Sequence, residues 1–125
     1  MTALAELHVR DDGDAVTVAI VGEMDISNAA YVEDELTAAV SNSALGMVLD
    51  LSGLSFVDSS GVELFFRLGE RLEQRRQLLS VALPADAPIR RVFEIVRFAD
   101  RLPVSGSVEE AGALLRAGPV QTAGA

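Results

Sequence analysis

Residues 47–61 read MVLDLSGLSFVDSSG. The run at 47–51 is almost wholly apolar, which marks a strand covered on both faces. Residues 52–59 read as a connecting loop. Residues 60–76 follow as a helix, with Leu64, Phe65, Leu68 and Leu72 on its inner side. Gly69 sits inside that helix at a cost of about 1 kcal/mol relative to alanine, so it marks close packing. A buried strand, a loop and an amphipathic helix make one βα unit, and a chain built of such units needs a parallel sheet.

The alternation continues downstream. Residues 78–83 (LLSVAL) form another buried strand. The segment Pro84–Pro88 starts a helix that turns Ile89, Val92, Phe93 and Val96 inward. Residues 102–105 give a weak short strand. Ser107 opens a last helix through Arg116, with Glu110 spaced for a capping box. Upstream, residues 5–9 and 15–21 flank Asp11-Asp12-Gly13-Asp14 and read as a β-hairpin. Gly22–Asp25 follows as a loop. A helix then runs from Ser27, with Ala29, Val32, Leu36, Ala39 and Val40 on one face and Asp25 or Ser27 as its cap. Residues 42–46 break it. The order ββαβαβαβα predicts an α/β fold: one domain, an N-terminal hairpin followed by βα units, and a mixed, mostly parallel sheet flanked by helices. Crossovers are expected to be right-handed. The domain is expected to span residues 1–117, with 118–125 as a mobile tail.

Composition narrows the chemistry. The chain has 125 residues, half of them apolar types, which suits a single domain with a real core. Cysteine is absent, which excludes disulfides, thiolate metal sites and cysteine nucleophiles. All ten basic residues are arginine. Without lysine there is no Walker-type phosphate loop, Schiff base or Ser-Lys dyad. The single histidine, His8, leaves no histidine cluster for a metal and reads as a strand surface residue. The net charge of −9 argues against a nucleic-acid partner. Residues 1–63 carry −11 and residues 64–125 carry +2. That acidic half fits either steering toward a basic partner or plain solubility. No apolar run approaches the roughly 20 residues of a membrane span. The first ten residues lack the basic and apolar regions of a signal peptide, so a cytoplasmic location is expected.

Sites in parallel sheets lie beyond the carboxyl ends of strands. Three loops fall there: 22–25, 56–60 and 84–88. The first two meet if their strands are neighbours. Within Asp58-Ser59-Ser60-Gly61, Ser60 stands at a helix start with Glu63 three residues on. Two compatible readings follow. One is a capping box with a turn at Gly61. The other is a hydroxyl among unpaired backbone N–H groups, where a phosphate is stabilised by those donors and the helix dipole. Asp25, Asp58 and Glu63 oppose such a phosphate. A serine hydrolase lacks its base, and Gly53-Leu54-Ser55-Phe56-Val57 fails the nucleophile-elbow pattern. Asp25 and Asp58 as an acid/base pair or magnesium site is weaker than their reading as caps. Asp50 is expected to bond backbone groups at its strand end. Arg67, Arg71, Arg75 and Arg76 are expected to form a solvated helix face.

Gly22-Glu23-Met24-Asp25 together with the segment from Leu49 to Gly61 resembles the STAS domain, and more narrowly the bacterial anti-sigma factor antagonists. Residues 88–96 resemble that family's third helix, and Ser107-Val108-Glu109-Glu110-Ala111 the start of its last. The resemblance covers roughly residues 5–116. It implies a single STAS-like domain without catalysis, cofactor or metal of its own. It also implies a partner, an anti-sigma factor that is a serine kinase of the GHKL type. In that scheme the unphosphorylated protein captures the anti-sigma factor and frees the sigma factor. The kinase phosphorylates the second hydroxyl of the D-S-[ST]-G motif, here Ser60, and a serine phosphatase reverses it. Gly22, Glu23, Asp25, Asp58, Ser59, Gly61 and Glu63 then flank the site or bind the partner. The chain departs from the family in Val62-Glu63, where Leu-Gly is usual, and in Arg97-Phe98, where Gly-Leu is common. Glu63 adds a negative charge one turn from Ser60. A STAS subunit of a membrane lipid-transport ATPase is the alternative function. A nucleotide- or ligand-sensing module is the other.

Overall fold

The computed structural model describes residues 5–118. The elements are β1 (Ala5–Asp11), β2 (Val16–Met24), α1 (Ala29–Ala39), β3 (Gly46–Asp50), β4 (Leu54–Val57), α2 (Ser59–Gln74), β5 (Leu78–Ala82), α3 (Arg90–Ile95), β6 (Val104–Ser105) and α4 (Val108–Arg116). A 3-10 turn, Phe98–Asp100, follows α3. The expected tail lies outside the described residues apart from Gly118.

The sheet runs β1-β2-β3-β5-β6, with β1 antiparallel to β2 and every other pair parallel. This is the mixed, mostly parallel α/β architecture expected from the chain. Two details differ from the sequence reading. The strand β2 continues through Gly22, Glu23 and Met24, where a loop was expected. Residues 54–57, expected within a loop, form β4, which pairs with the far end of β2 beyond β3. Nine residues give β2 room for two partners end to end on one side: Val16–Ala19 pair with β3, and Gly22–Met24 with β4.

Alternation along β2 decides the layers. Val16, Val18, Ile20 and Met24 are buried on the side of α1, α2 and α3. That side receives Val32 and Leu36 from α1, Leu64, Phe65, Leu68 and Leu72 from α2, and Ile89 and Phe93 from the α3 region. The inner residues expected for α2 are therefore the buried ones. Val96, expected inward, is exposed because α3 ends at Ile95. The other side of β3 and β5 is covered by α4, through Val48, Ala82, Ala111 and Leu115. There the fully buried Ser80 donates its hydroxyl to the Ala111 carbonyl at 2.9 Å. Gly69 packs as expected. A Cβ at that position would lie 2.5 Å from a Leu102 methyl.

Ser107 caps α4 by accepting the Glu110 N–H. Glu110 itself accepts from Gly106 rather than from Ser107, so the expected box closes one residue earlier.

Candidate functional site

The extension of β2 and the insertion of β4 bring the two acidic segments side by side. Glu23 pairs with Phe56, and Met24 with Val57. The chains leaving these strands stay in contact, since the Asp58 N–H donates to the Met24 carbonyl at 3.2 Å. The expected meeting of residues 22–25 with 56–60 therefore occurs.

The turn after β2 is held by two side chains. Asp25 Oδ1 accepts both the backbone N–H and the hydroxyl of Ser27. These bonds from Ser27 hold the Asp25 carboxyl below the usual carboxylate range. Asn28 is buried and bonds in both directions. Its Oδ1 accepts the Asp25 N–H at 3.0 Å, and its Nδ2 donates to the Glu23 carbonyl at 2.9 Å. Neither Asp25 nor Ser27 caps α1. The residue before that helix is Asn28, whose side chain faces back into the turn. Sequence reading passed over Asn28, although an Asn just before a helical pattern is a recognised turn and cap signal.

The start of α2 also differs from expectation. Its N-cap is Asp58, not Ser60. Asp58 has extended backbone, and its Oδ1 accepts the N–H groups of Ser60 at 2.9 Å and Gly61 at 3.3 Å. Asp58 Oδ2 accepts the Ile26 N–H at 3.2 Å. One carboxylate thus ties the helix start to the turn after β2. A Ser60–Glu63 capping box is not formed, because Ser60 already lies inside the first turn. Both aspartates serve backbone donors, which places them in turn architecture rather than in an acid/base pair. Gly61 fits for a steric reason. A Cβ there would lie 2.5 Å from Val57 Cγ2 and 3.4 Å from the Met24 side chain.

Ser60 is half-buried and Ser59 exposed. Ser60 lines a shallow depression of about 280 Å³ with Ile26, Ala29, Ala30, Glu33, Glu63 and Arg67. Ile26 at its rim is 80% exposed, and Phe56 on the neighbouring strand 47%. Ile26 shares the depression with the carboxylates of Glu33 and Glu63, and Phe56 lies beside Glu23 on the neighbouring strand. The loop 84–88 reaches the same sheet edge by way of β5 but does not line this depression.

Arg67 and Arg71 are not a merely solvated face. Glu33 of α1 accepts from Arg67 at 2.9 Å and from Arg71 at 3.4 Å, and Arg71 also donates to Thr37. Arg75 and Arg76 are exposed, as expected. Asp50 accepts the Ser52 N–H, and His8 is exposed on β1. The Arg67 hydrogen bond, aided by the charges of Arg67 and Arg71, depresses the Glu33 carboxyl. A depressed carboxyl stabilises the fold above its unfolded-state value, and that stability is lost as pH falls through the folded value. Urea unfolding is therefore expected to show the wild type losing roughly 1 kcal/mol more than Glu33→Gln on acidification from neutral pH to below pH 4. Equal losses would contradict the bridge.

The sequence profile of the STAS domain matches residues 6–111. The chain belongs to the STAS domain family. Within it the chain is similar to BtrV of Bordetella bronchiseptica, a candidate anti-sigma factor antagonist, with 32% identity over 107 residues that cover 85% of this chain and 91% of that protein. The fold matches an anti-sigma factor antagonist from Mycobacterium paratuberculosis at a TM-score of 0.78, with 24% identity over 90% of this chain and 94% of that one. It matches unphosphorylated SpoIIAA, also an anti-sigma factor antagonist, at a TM-score of 0.71, with 20% identity, 92% of this chain and 100% of that one. The Bacillus SpoIIAA structure in its phosphorylated form matches at 0.61, with 20% identity over 87% of this chain and 99% of that one. Among the described residues, no helix is long and apolar enough to cross a membrane, and no three metal-ligating side chains converge.

Proposed function

We infer that this STAS domain is an anti-sigma factor antagonist, and that Ser60 is its phosphate acceptor. The observation that carries the reading is the joining of the β2–α1 turn to the α2 start through Asp58. It makes one surface on which Ser60, the exposed Ile26 and the acidic side chains are presented together. The likeness to BtrV over most of both chains supports the partner class. SpoIIAA, of the same fold, exists in unphosphorylated and phosphorylated forms, which supports the switch.

The unphosphorylated protein binds an anti-sigma factor of the GHKL serine kinase type, in the cytoplasm, and the sigma factor is released. Ile26 fills an apolar pocket of the partner, while Glu23, Asp25 and Glu63 meet basic side chains around it. Such an arrangement combines a buried anchor with a charged rim. Gly22, Ser59 and Gly61 supply backbone shape rather than charge. In the kinase step the Ser60 Oγ attacks the γ-phosphorus of ATP. The bond to the β–γ bridging oxygen breaks, ADP leaves, and the hydroxyl proton passes to a base. That base belongs to the kinase, because Asp58 is already committed to three backbone donors. The phosphate then places about −2 charges in an already acidic surface and drives the partners apart. A serine phosphatase resets the cycle.

Affinity capture from the native host, followed by phosphosite mapping of the same sample, tests this reading. The expected catch is an ATP-binding serine kinase, with phosphate on Ser60. Ser60→Ala is expected to capture the same kinase and carry no phosphate. Capture of a transport ATPase instead, or phosphate on another residue, would overturn it.

A further inference from the structure

A phosphate on Ser60 gains from a counter-charge, and the N–H groups of Ser60, Gly61 and Val62 at the helix start are already in use. The N–H groups of Ser60 and Gly61 are occupied by the Asp58 carboxylate, and that of Val62 donates to the Asp58 carbonyl. The charged groups around the position are Asp25 in the β2–α1 turn, Glu33 on α1, and Asp58, Glu63 and Arg67 at the cap and along α2. Of the residues lining the Ser60 depression, Arg67 alone is a cation.

We propose that phosphorylated Ser60 is bound within the same chain by Arg67, which gives up Glu33 to do so. The proposal rests on Ser60 being the phosphate acceptor and adds the residue that receives its charge.

Ser60 and Arg67 are seven residues apart on α2, two turns along one face, or about 10.5 Å along the helix axis. Helical side chains lean toward the N-terminus, so the Arg67 stem leans toward Ser60, while the Ser60 Cβ leans the same way and its phosphate must turn back along α2 to meet it. In that rotamer an extended arginine and a phosphoserine together span the distance. Both already border the same depression. Half of the Arg67 side chain is exposed, so its bonds to Glu33 rather than burial hold it in place. Glu33 does not become an isolated charge when Arg67 leaves, because Arg71 still reaches it at 3.4 Å and is held in place by Thr37. The exchange is favourable in charge: a phosphate near −2 replaces a single carboxylate, and a guanidinium fork matches phosphate oxygens in a bidentate pair. Phosphorylation then does more than add charge. It withdraws a cation from the seam between α1 and α2 and leaves Glu33 to Arg71 alone.

The test installs phosphoserine at position 60 by genetic encoding, so that no kinase is needed. A failure of the kinase assignment and a failure of this proposal are thereby distinguishable. The phosphorus NMR signal is titrated with pH in the wild-type, Arg67→Gln and Glu33→Gln backgrounds, while the Arg67 Nε–H resonance is followed in the wild type. A bound guanidinium favours the dianion. The second ionisation is therefore expected at least about half a pH unit lower in the wild type than in Arg67→Gln. In Glu33→Gln, which removes the competing carboxylate, it is expected to be lower still. The Arg67 Nε–H resonance is expected to shift with the same midpoint as the phosphorus signal. Equal midpoints in the wild type and Arg67→Gln, or an Arg67 resonance that ignores the phosphate, would overturn the proposal. Should Arg67→Gln fail to fold, the resonance in the wild type decides alone.

Discussion

Replacing Phe65 by alanine is expected to destabilise the protein by about 3–5 kcal/mol, the usual cost of removing a fully buried phenyl ring from a packed core. Phe65 is completely buried on the inner face of α2. Its ring meets Phe93 edge-on at 6.4 Å and Phe98 edge-on at 6.2 Å. Phe93 and Phe98 stack on each other at 4.0 Å, so neither can collapse into the vacated space without breaking that stack. Phe98 also stacks on Phe66, which in turn lies under the Arg101 guanidinium. The cavity is therefore held open by an aromatic cluster that joins α2 to the α3 region. Urea unfolding gives the measure. A loss below about 1 kcal/mol would mean that the cluster relaxes and does not hold α2 in place.

Removal of the Asp58 carboxylate is expected to have the largest effect within the site. Asp58→Ala leaves the Ile26 and Ser60 N–H groups without their acceptor, on two separate segments, and leaves Gly61 only its bond to the residue-58 carbonyl. Loss of an N-cap costs about 1 kcal/mol, and loss of a further charged hydrogen bond adds about as much or more, so roughly 2–3 kcal/mol is expected. Asp58→Asn separates the two roles. Asparagine is a good N-cap but has one acceptor oxygen, so it serves either the helix start or Ile26. It is expected to lose about half as much stability as Asp58→Ala and to expose the Ile26 amide to hydrogen exchange. If Asn and Ala were equally destabilising, or if Ile26 exchange were unchanged in both, Asp58 would not be the tie between the two segments.

The order of elements was legible in the chain because each βα unit carries its own signal. A run such as MVLDL and a helix such as 60–76 differ in period, and buried strands need no partner to be recognised. The site was legible as two segments but not as a geometry. Residues 54–57 escaped notice as a strand because Leu54 and Val57 are buried while Ser55 and Phe56 are exposed, which breaks strict alternation. Only the overhang of β2 beyond β3 gives that strand something to pair with. Ser-x-x-Glu resembles a capping box and points to Ser60 as the helix cap. Asp58 has equal cap chemistry two residues earlier, and the competition is settled by the Met24 carbonyl, which fixes the Asp58 backbone. The Glu33 bridges to Arg67 and Arg71 join residues 34 and 38 positions apart. No local pattern carries a pairing of that range, so those arginines read as surface.

The narrow chemical vocabulary of the chain fits this account. In the proposed switch the phosphate chemistry belongs to the partner, and the chain has no cysteine or lysine and one exposed histidine. The most direct test is calorimetry of the binding of the captured kinase, with nucleotide held constant, to the STAS domain before and after stoichiometric phosphorylation of Ser60. Tight binding is expected before and at least a hundredfold weaker binding after, equivalent to about 3 kcal/mol. Equal affinity in the two states would contradict the switch at its centre.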